Sequence, residues 1–152
     1  MLRTCGKALG GEGALLCGPR VMRDHVINRG RGFIFSTAPS PLMAACVREA
    51  LRIVEEEPGR REALHDLVGY AGCKLAPFGV SASGSQIMPL VLGDEARTMQ
   101  IAGALRSAGF DIRGIRPPTV PAGSSRLRIS LTLNSGRAQI DALAGTLSEI
   151  LA

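Results

Sequence analysis

Aromatic side chains are scarce in this chain: 3% of its 152 residues, with no Trp, one Tyr and four Phe. Surfaces that bind single-stranded nucleic acid stack bases on aromatic rings. The arginines are also scattered rather than gathered in a run, so the sequence argues against a nucleic-acid module. No uninterrupted apolar stretch approaches the roughly 20 residues that span a bilayer. Glycine and charge arrive within the first dozen residues, where a signal peptide would carry its apolar region. Neither a membrane nor a secretory route is expected. The four cysteines and two histidines form no C-x-x-C pair and no zinc-type spacing, so no metal site is expected either. Free thiols suit a reducing cytoplasm. Cys17, Cys46 and Cys73 lie in apolar or helical contexts, which predicts small buried hydrophobes. Cys5 is the cysteine placed to react. The G-x-x-x-x-G-K-[ST] phosphate loop is also missing.

What is present is an ordinary globular composition, 45% hydrophobic and 20% charged, in a chain long enough for a real core. With so few aromatics that core must be built from Leu, Ile, Val, Ala and Met. The net charge of +5 favours an anionic partner: phosphate, carboxylate, an acidic carrier protein or nucleic acid. The stretch most able to do chemistry is Thr4-Cys5-Gly6-Lys7-Ala8-Leu9-Gly10-Gly11-Glu12-Gly13-Ala14. Four glycines let the backbone turn tightly and let a ligand approach. A lysine desolvated and aimed by such a turn is a nucleophile toward carbonyl carbon, since burial disfavours its ammonium form. The same composition also makes a plain surface turn with a solvated lysine.

Hydrophobic periodicity predicts a short buried strand at 14–17 and a helix from Gly18-Pro19 to about Arg31. An extended piece is expected at Phe33-Ile34-Phe35. Helices follow over 41–56 and 60–75, the second with Leu64, Leu67, Val68, Ala71 and Leu75 on one face. His25 and His65 read as exposed helix residues, and Glu55-Glu56-Glu57 as a solvated helix end. After a polar linker, Ser81–Ser85, a strand is expected at Ile87–Leu92. Asp94 is an N-cap for a helix over 95–108, which Gly109 ends. Strands at Phe110–Ile115 and Leu127–Leu133 flank a Pro-rich loop, 116–125, and a helix closes the chain from about Ser135 to Leu151. The order β-α-β-β-α predicts an antiparallel or mixed sheet with helices on one face.

The segment Thr4-x-Gly6-Lys7-Ala8-Leu9-Gly10 with Gly13-Ala14 resembles the cofactor-lysine motif of the α-oxoamine synthases. The likeness continues through Phe35-Ser36-Thr37-Ala38-Pro39-Ser40-Pro41 and Pro89-Leu90-Val91-Leu92-Gly93-Asp94. It is sharpest at Ile115-Arg116-Pro117-Pro118-Thr119-Val120-Pro121-Ala122-Gly123 and Arg126-Leu127-Arg128-Ile129-Ser130, which are similar to the biotin-pathway branch. The resemblance covers the chain from Thr4 to its C-terminus.

The resemblance implies an α/β chain: the C-terminal part of a pyridoxal 5'-phosphate-dependent transferase of fold type I, ending in an α+β small domain. Residues 1–40 would finish the large domain, and 41–152 would be the helical connection and small domain. Lys7 would be the catalytic residue and would carry pyridoxal phosphate on its amine. Thr4 would bind the cofactor phosphate, and Ser36 and Thr37 would reach the phosphate of the neighbouring subunit in a homodimer. The Ser36-Thr37 pair also suits a simple capped turn. Thr119 would meet substrate or product. Arg128 would clamp the amino-acid carboxylate in a bidentate pair, with Arg126 two residues earlier on the same strand face. The implied reaction is decarboxylative condensation of L-alanine with a pimeloyl thioester, on coenzyme A or acyl carrier protein. Glycine C-acetyltransferase, or a non-catalytic remnant that docks on a partner, are the alternative readings. In this family a preceding large domain supplies an aspartate for the pyridine nitrogen, a histidine on the ring and a glycine-rich phosphate site. The chain begins at Met1-Leu2-Arg3 without them, so weak or absent activity is expected of it alone.

Overall fold

The computed structural model describes residues 1–81 and 83–151. It divides into two compact units, Met1–Pro58 and Gly59–Ala152.

The first unit opens with two short antiparallel strands, β1 (Leu2–Thr4) and β2 (Ala14–Leu16), paired Leu2 to Leu16, Arg3 to Leu15 and Thr4 to Ala14. Helices α1 (Arg20–Arg29), α2 (Arg31–Ile34) and α3 (Pro41–Glu56) follow. Proline at the first turn of α3 costs nothing, because its missing N–H would have had no helical partner. Arg52 joins Glu49 and Glu56 along the exposed side of α3. The buried side chains of this unit are Cys5 and Val47.

The second unit carries the core. Helix α4 (Gly59–Leu75) runs through a short 3₁₀ turn, Ala76–Phe78, into β3 (Ile87–Gly93). Then come α5 (Glu95–Ser107), β4 (Arg113–Ile115), β5 (Ser125–Ser130) and α6 (Arg137–Leu151). The sheet is antiparallel throughout, in the order β3-β5-β4. Strand alternation sends Leu127 and Ile129 inward, where they pack with Met88 and Leu90 of β3 and with α4, α5 and α6. The predicted β-α-β-β-α order and the inward face of α4 are therefore present, with Leu67, Val68, Ala71 and Leu75 buried.

Asp94 caps α5 by accepting a hydrogen bond from the Arg97 amide at 2.6 Å, and Glu95 adds negative charge at the positive end of the helix dipole. The far end is closed by the Gly109 N–H donating to the Arg106 carbonyl and the Phe110 N–H to the Leu105 carbonyl. This pair of bonds is the Schellman pattern. A further tie crosses between α4 and α6. The Tyr70 hydroxyl donates to Asp141 at 2.6 Å, Lys74 stands 3.3 Å from the same oxygen, and the Arg137 guanidinium lies 4.7 Å from the Tyr70 ring centre.

Several expectations are corrected. Phe33 and Ile34 are helical, not extended. The Gly30 carbonyl accepts from both of their amides, which satisfies their backbone locally where no strand neighbour is at hand. The strand expected from Phe110 begins only at Arg113, because the amides of Phe110 and Ile112 are already bonded to Leu105 and Phe110. β5 spans 125–130 instead of 127–133, and the chain turns at Thr132–Ser135, closed by a bond from the Ser135 amide to the Thr132 carbonyl. Ala14 and Leu16 of β2 are exposed and Leu15 half-buried, so this strand is not buried. The cysteines reverse their expected places: Cys5 is buried, while Cys17, Cys46 and Cys73 are exposed. Cys46 and Cys73 lie beside the buried Val47 and Ala71 but are themselves exposed, and Cys5 sits where its loop, at Gly11, meets Met43 and Val47 of α3.

Two outcomes follow from this packing. Leu127→Ala empties a fully buried position on the central strand and should lower stability by about 2–5 kcal/mol, read from the urea midpoint. The Tyr70 hydrogen bond, chiefly, and Lys74 hold Asp141 below the usual carboxylate range, while Asp141 raises both Tyr70 and Lys74. The depressed acid contributes fully above its unfolded value and the raised groups contribute fully below theirs. The tie is therefore complete between about pH 4 and about pH 10 and fades outside that window. Tyr70→Phe should lower the urea midpoint at neutral pH and flatten its decline as pH falls through the depressed Asp141 value.

Candidate active-site elements

The lysine lies in the loop that joins β1 to β2. Three backbone bonds set the loop: the Cys5 amide to the Gly13 carbonyl at 2.9 Å, the Gly11 amide to the Cys5 carbonyl at 2.9 Å, and the Gly10 amide to the Lys7 carbonyl at 3.0 Å. Lys7 is thus the first residue of a tight four-residue turn. Gly10 and Gly13 hold φ of 61° and 79°, backbone that side-chain-bearing residues rarely adopt. Gly11 is needed for a different reason: a Cβ there would stand 2.6 Å from Val47 Cγ2, so only hydrogen lets the loop seat on α3.

Lys7 is exposed, and its amine has no hydrogen bond or ion pair with any described residue. Of the two readings of the glycine-rich stretch, the structure shows the tight turn without burial of the lysine. Thr4 forms the last rung of the strand pair before the loop, and its side chain is also exposed. A free amine on a pinned backbone, with a threonine hydroxyl at the mouth of the same loop, fits an aldehyde-bearing phosphate cofactor. Ser36 and Thr37 follow α2. The Ser36 hydroxyl donates to the Gly32 carbonyl at 2.5 Å, and Thr37 is exposed. Between the loop and α3 runs a largely apolar groove of about 330 Å³, bordered by Cys5, Gly13, Pro39, Met43 and Val47.

In the second unit, Thr119 sits on the loop between β4 and β5. Its amide donates to the Arg116 carbonyl at 3.0 Å, and its side chain is exposed. The Pro117–Pro118 bond in this loop is cis. Arg116 is anchored by an ion pair to Glu95 in the first turn of α5, at 2.5 Å. On β5, Arg126 and Arg128 share the open face of the sheet, as the strand period requires. Arg126 is half-buried and donates through Nε to the Ser124 carbonyl at 2.9 Å. Arg128 is exposed and unpaired among the described residues. In the ladder it stands between Pro89 and Arg113.

The structure therefore gathers Thr4 and Lys7 on one hairpin, and Thr119 and Arg128 on another. The Glu95–Arg116 anchor and the cross-strand Arg113 escape sequence reading, because the first depends on how α5 sits against the β4–β5 loop and the second on which strand lies beside which. Among the described residues no group of three His, Cys, Asp or Glu side chains could hold a metal, and no helix is long and apolar enough to cross a membrane.

The family model for aminotransferase class I and II matches residues 1–147. The 8-amino-7-oxononanoate synthase of Anaeromyxobacter dehalogenans is 44% identical over 150 residues, which are 97% of this chain and 38% of that protein. The chain thus spans under two-fifths of the length of this relative. Among solved structures, the 8-amino-7-oxononanoate synthase of Francisella tularensis superposes with a TM-score of 0.84 at 22% identity, over 99% of this chain and 44% of that one. A lysine-to-alanine serine palmitoyltransferase from S. paucimobilis, with a bound PLP–myriocin aldimine, gives a TM-score of 0.86 at 23% identity, over 98% of this chain and 38% of that one. These structures share the fold, that of the pyridoxal-phosphate-dependent enzymes of fold type I. With the family match running almost from end to end and the lysine loop and arginine hairpin in place, this chain belongs to the aminotransferase class I and II family.

Proposed function

We propose that the chain is the C-terminal part of an 8-amino-7-oxononanoate synthase of biotin biosynthesis. The reaction condenses L-alanine with a pimeloyl thioester, on coenzyme A or acyl carrier protein, and releases carbon dioxide. The observation that carries this reading is the 44% identity to a synthase of that name over nearly the whole chain. The free amine of Lys7 on its pinned loop supports it. Residues 1–40 are the end of the large cofactor-binding domain, and 41–152 the connection and small domain. The assembled enzyme is a cytoplasmic homodimer.

Pyridoxal phosphate is the cofactor, and when bound it supplies an electron sink for the carbanion at the substrate α-carbon. Lys7 would hold it through Nζ. The same amine would serve as the base that removes and returns the proton at the substrate α-carbon. The Thr4 hydroxyl would donate to the phosphate, and Ser36 and Thr37 would reach the phosphate belonging to the neighbouring subunit. For Ser36 this means leaving its bond to Gly32. Arg128 forks the carboxylate of the amino acid with two parallel N–H donors, and Thr119 contacts substrate or product.

Lys7→Ala, in a polypeptide that includes the large domain, should reduce turnover by about 10²–10⁴-fold. It should also abolish the mass gain left by borohydride reduction in the presence of pyridoxal phosphate. Unchanged turnover would remove the enzymatic reading. Arg128→Gln should raise KM for alanine by about tenfold or more while leaving the borohydride mass gain intact, because losing a charge-assisted bidentate pair removes roughly 1.5–3 kcal/mol of binding.

A further inference from the structure

Arg128 and Arg113 are direct cross-strand partners on the open face of the sheet, and both are exposed. Like charges placed directly opposite repel across about 5 Å of Cβ separation. Among the described residues only Arg113 has a counter-ion. Asp111 lies against Arg113, with Oδ1 2.9 Å from Nε and Oδ2 3.1 Å from Nη2. That side-on pair occupies two nitrogens of the fork and leaves Arg113 Nη1 without a described partner. On the other side of Arg128 the neighbours along β3 are Ile87, Pro89 and Val91, which bring no carboxylate. Arg126, one rung along, adds a third guanidinium. Among the described residues, these rungs therefore bring together three positive groups and one negative group.

Resting on the reading of Arg128 as a carboxylate clamp, the geometry points to Arg113 as its second arm. The two guanidinium groups form one oxyanion site, to which Arg113 contributes Nη1. Asp111 fixes the Arg113 fork and, by its own charge, sets how tightly an incoming carboxylate binds. An arriving carboxylate removes the repulsion between the two arginines, which is why the unpaired arrangement favours it. Arg113 is a specificity and positioning group here, and no bond is made or broken at it.

Acetate titration of the 152-residue chain tests this, with the Nε–Hε NMR signals of Arg113 and Arg128 as the readout. Both signals should move together with a common Kd. Arg113→Gln should weaken acetate binding at Arg128 by about threefold or more, and Asp111→Asn should tighten it by about threefold, as expected for one unit charge in a solvated setting. Arg106→Gln on α5 is the control for net charge and should leave the Kd unchanged. If Arg113→Gln behaves like this control while Arg128 still titrates, the second arm is wrong and the clamp stands. If Arg128 itself does not respond in the native chain, both fall. The three altered side chains are exposed, and an unchanged amide spectrum in each variant confirms that the fold is kept.

Discussion

The second unit depends on the two-residue period of β5, held between β3 and β4. A central strand has both edges bonded, so its register cannot slip without sending Leu127 and Ile129 into water and two arginines into the core. An unpaired buried guanidinium is far costlier than the loss of one hydrophobic contact. The alternation Arg126-Leu127-Arg128-Ile129 is therefore a lock, and everything packed on either face inherits its position from it. Helices α4, α5 and α6 cover the inner face, and the arginines are left on the outer one.

The first unit works on a different constraint. It has little buried apolar area, and its lysine loop is held chiefly by backbone bonds closed on each other and by the fit of Gly11 against Val47. Such a loop fixes where Lys7 starts while leaving its long side chain unencumbered. For an amine whose proposed task is to bond a carbonyl and later to move a proton, a fixed base with a free tip is a workable arrangement. The cost falls on sequence freedom, since neither a side chain at Gly11 nor an L-residue at Gly13 is easily accommodated.

Legibility followed the range of the interaction. Helix α3 from Pro41 to Glu56, the Asp94 cap and the buried stripe of α4 were readable, because each rests on neighbours within a few residues along the chain. So was the shared face of Arg126 and Arg128. The error at Phe33–Phe35 came from treating an apolar triplet as a strand, when no neighbouring strand was there to take its hydrogen bonds. The error at Phe110 had a related cause: its amide was already committed to ending α5. Cys5 was misjudged because a cysteine among glycines looks exposed until the loop seats against Met43 and Val47 of α3.

By itself, the sequence determined the β-α-β-β-α order of the second unit, the capping of α5 and the shared face of Arg126 and Arg128, and its likeness to a known family singled out Lys7, Thr4, Ser36, Thr37, Thr119 and Arg128 as candidates. The order, the cap and the shared face follow from local propensity and periodicity, which act over one or two turns of chain; the candidate residues come from the family resemblance. The tertiary structure decided that Lys7 is unburied and unpaired, that Arg116 is tied to Glu95, that Tyr70 meets Asp141, and that Arg113 faces Arg128. Each of these joins residues from different elements. Their meeting is set by strand register and helix packing, which no local pattern encodes.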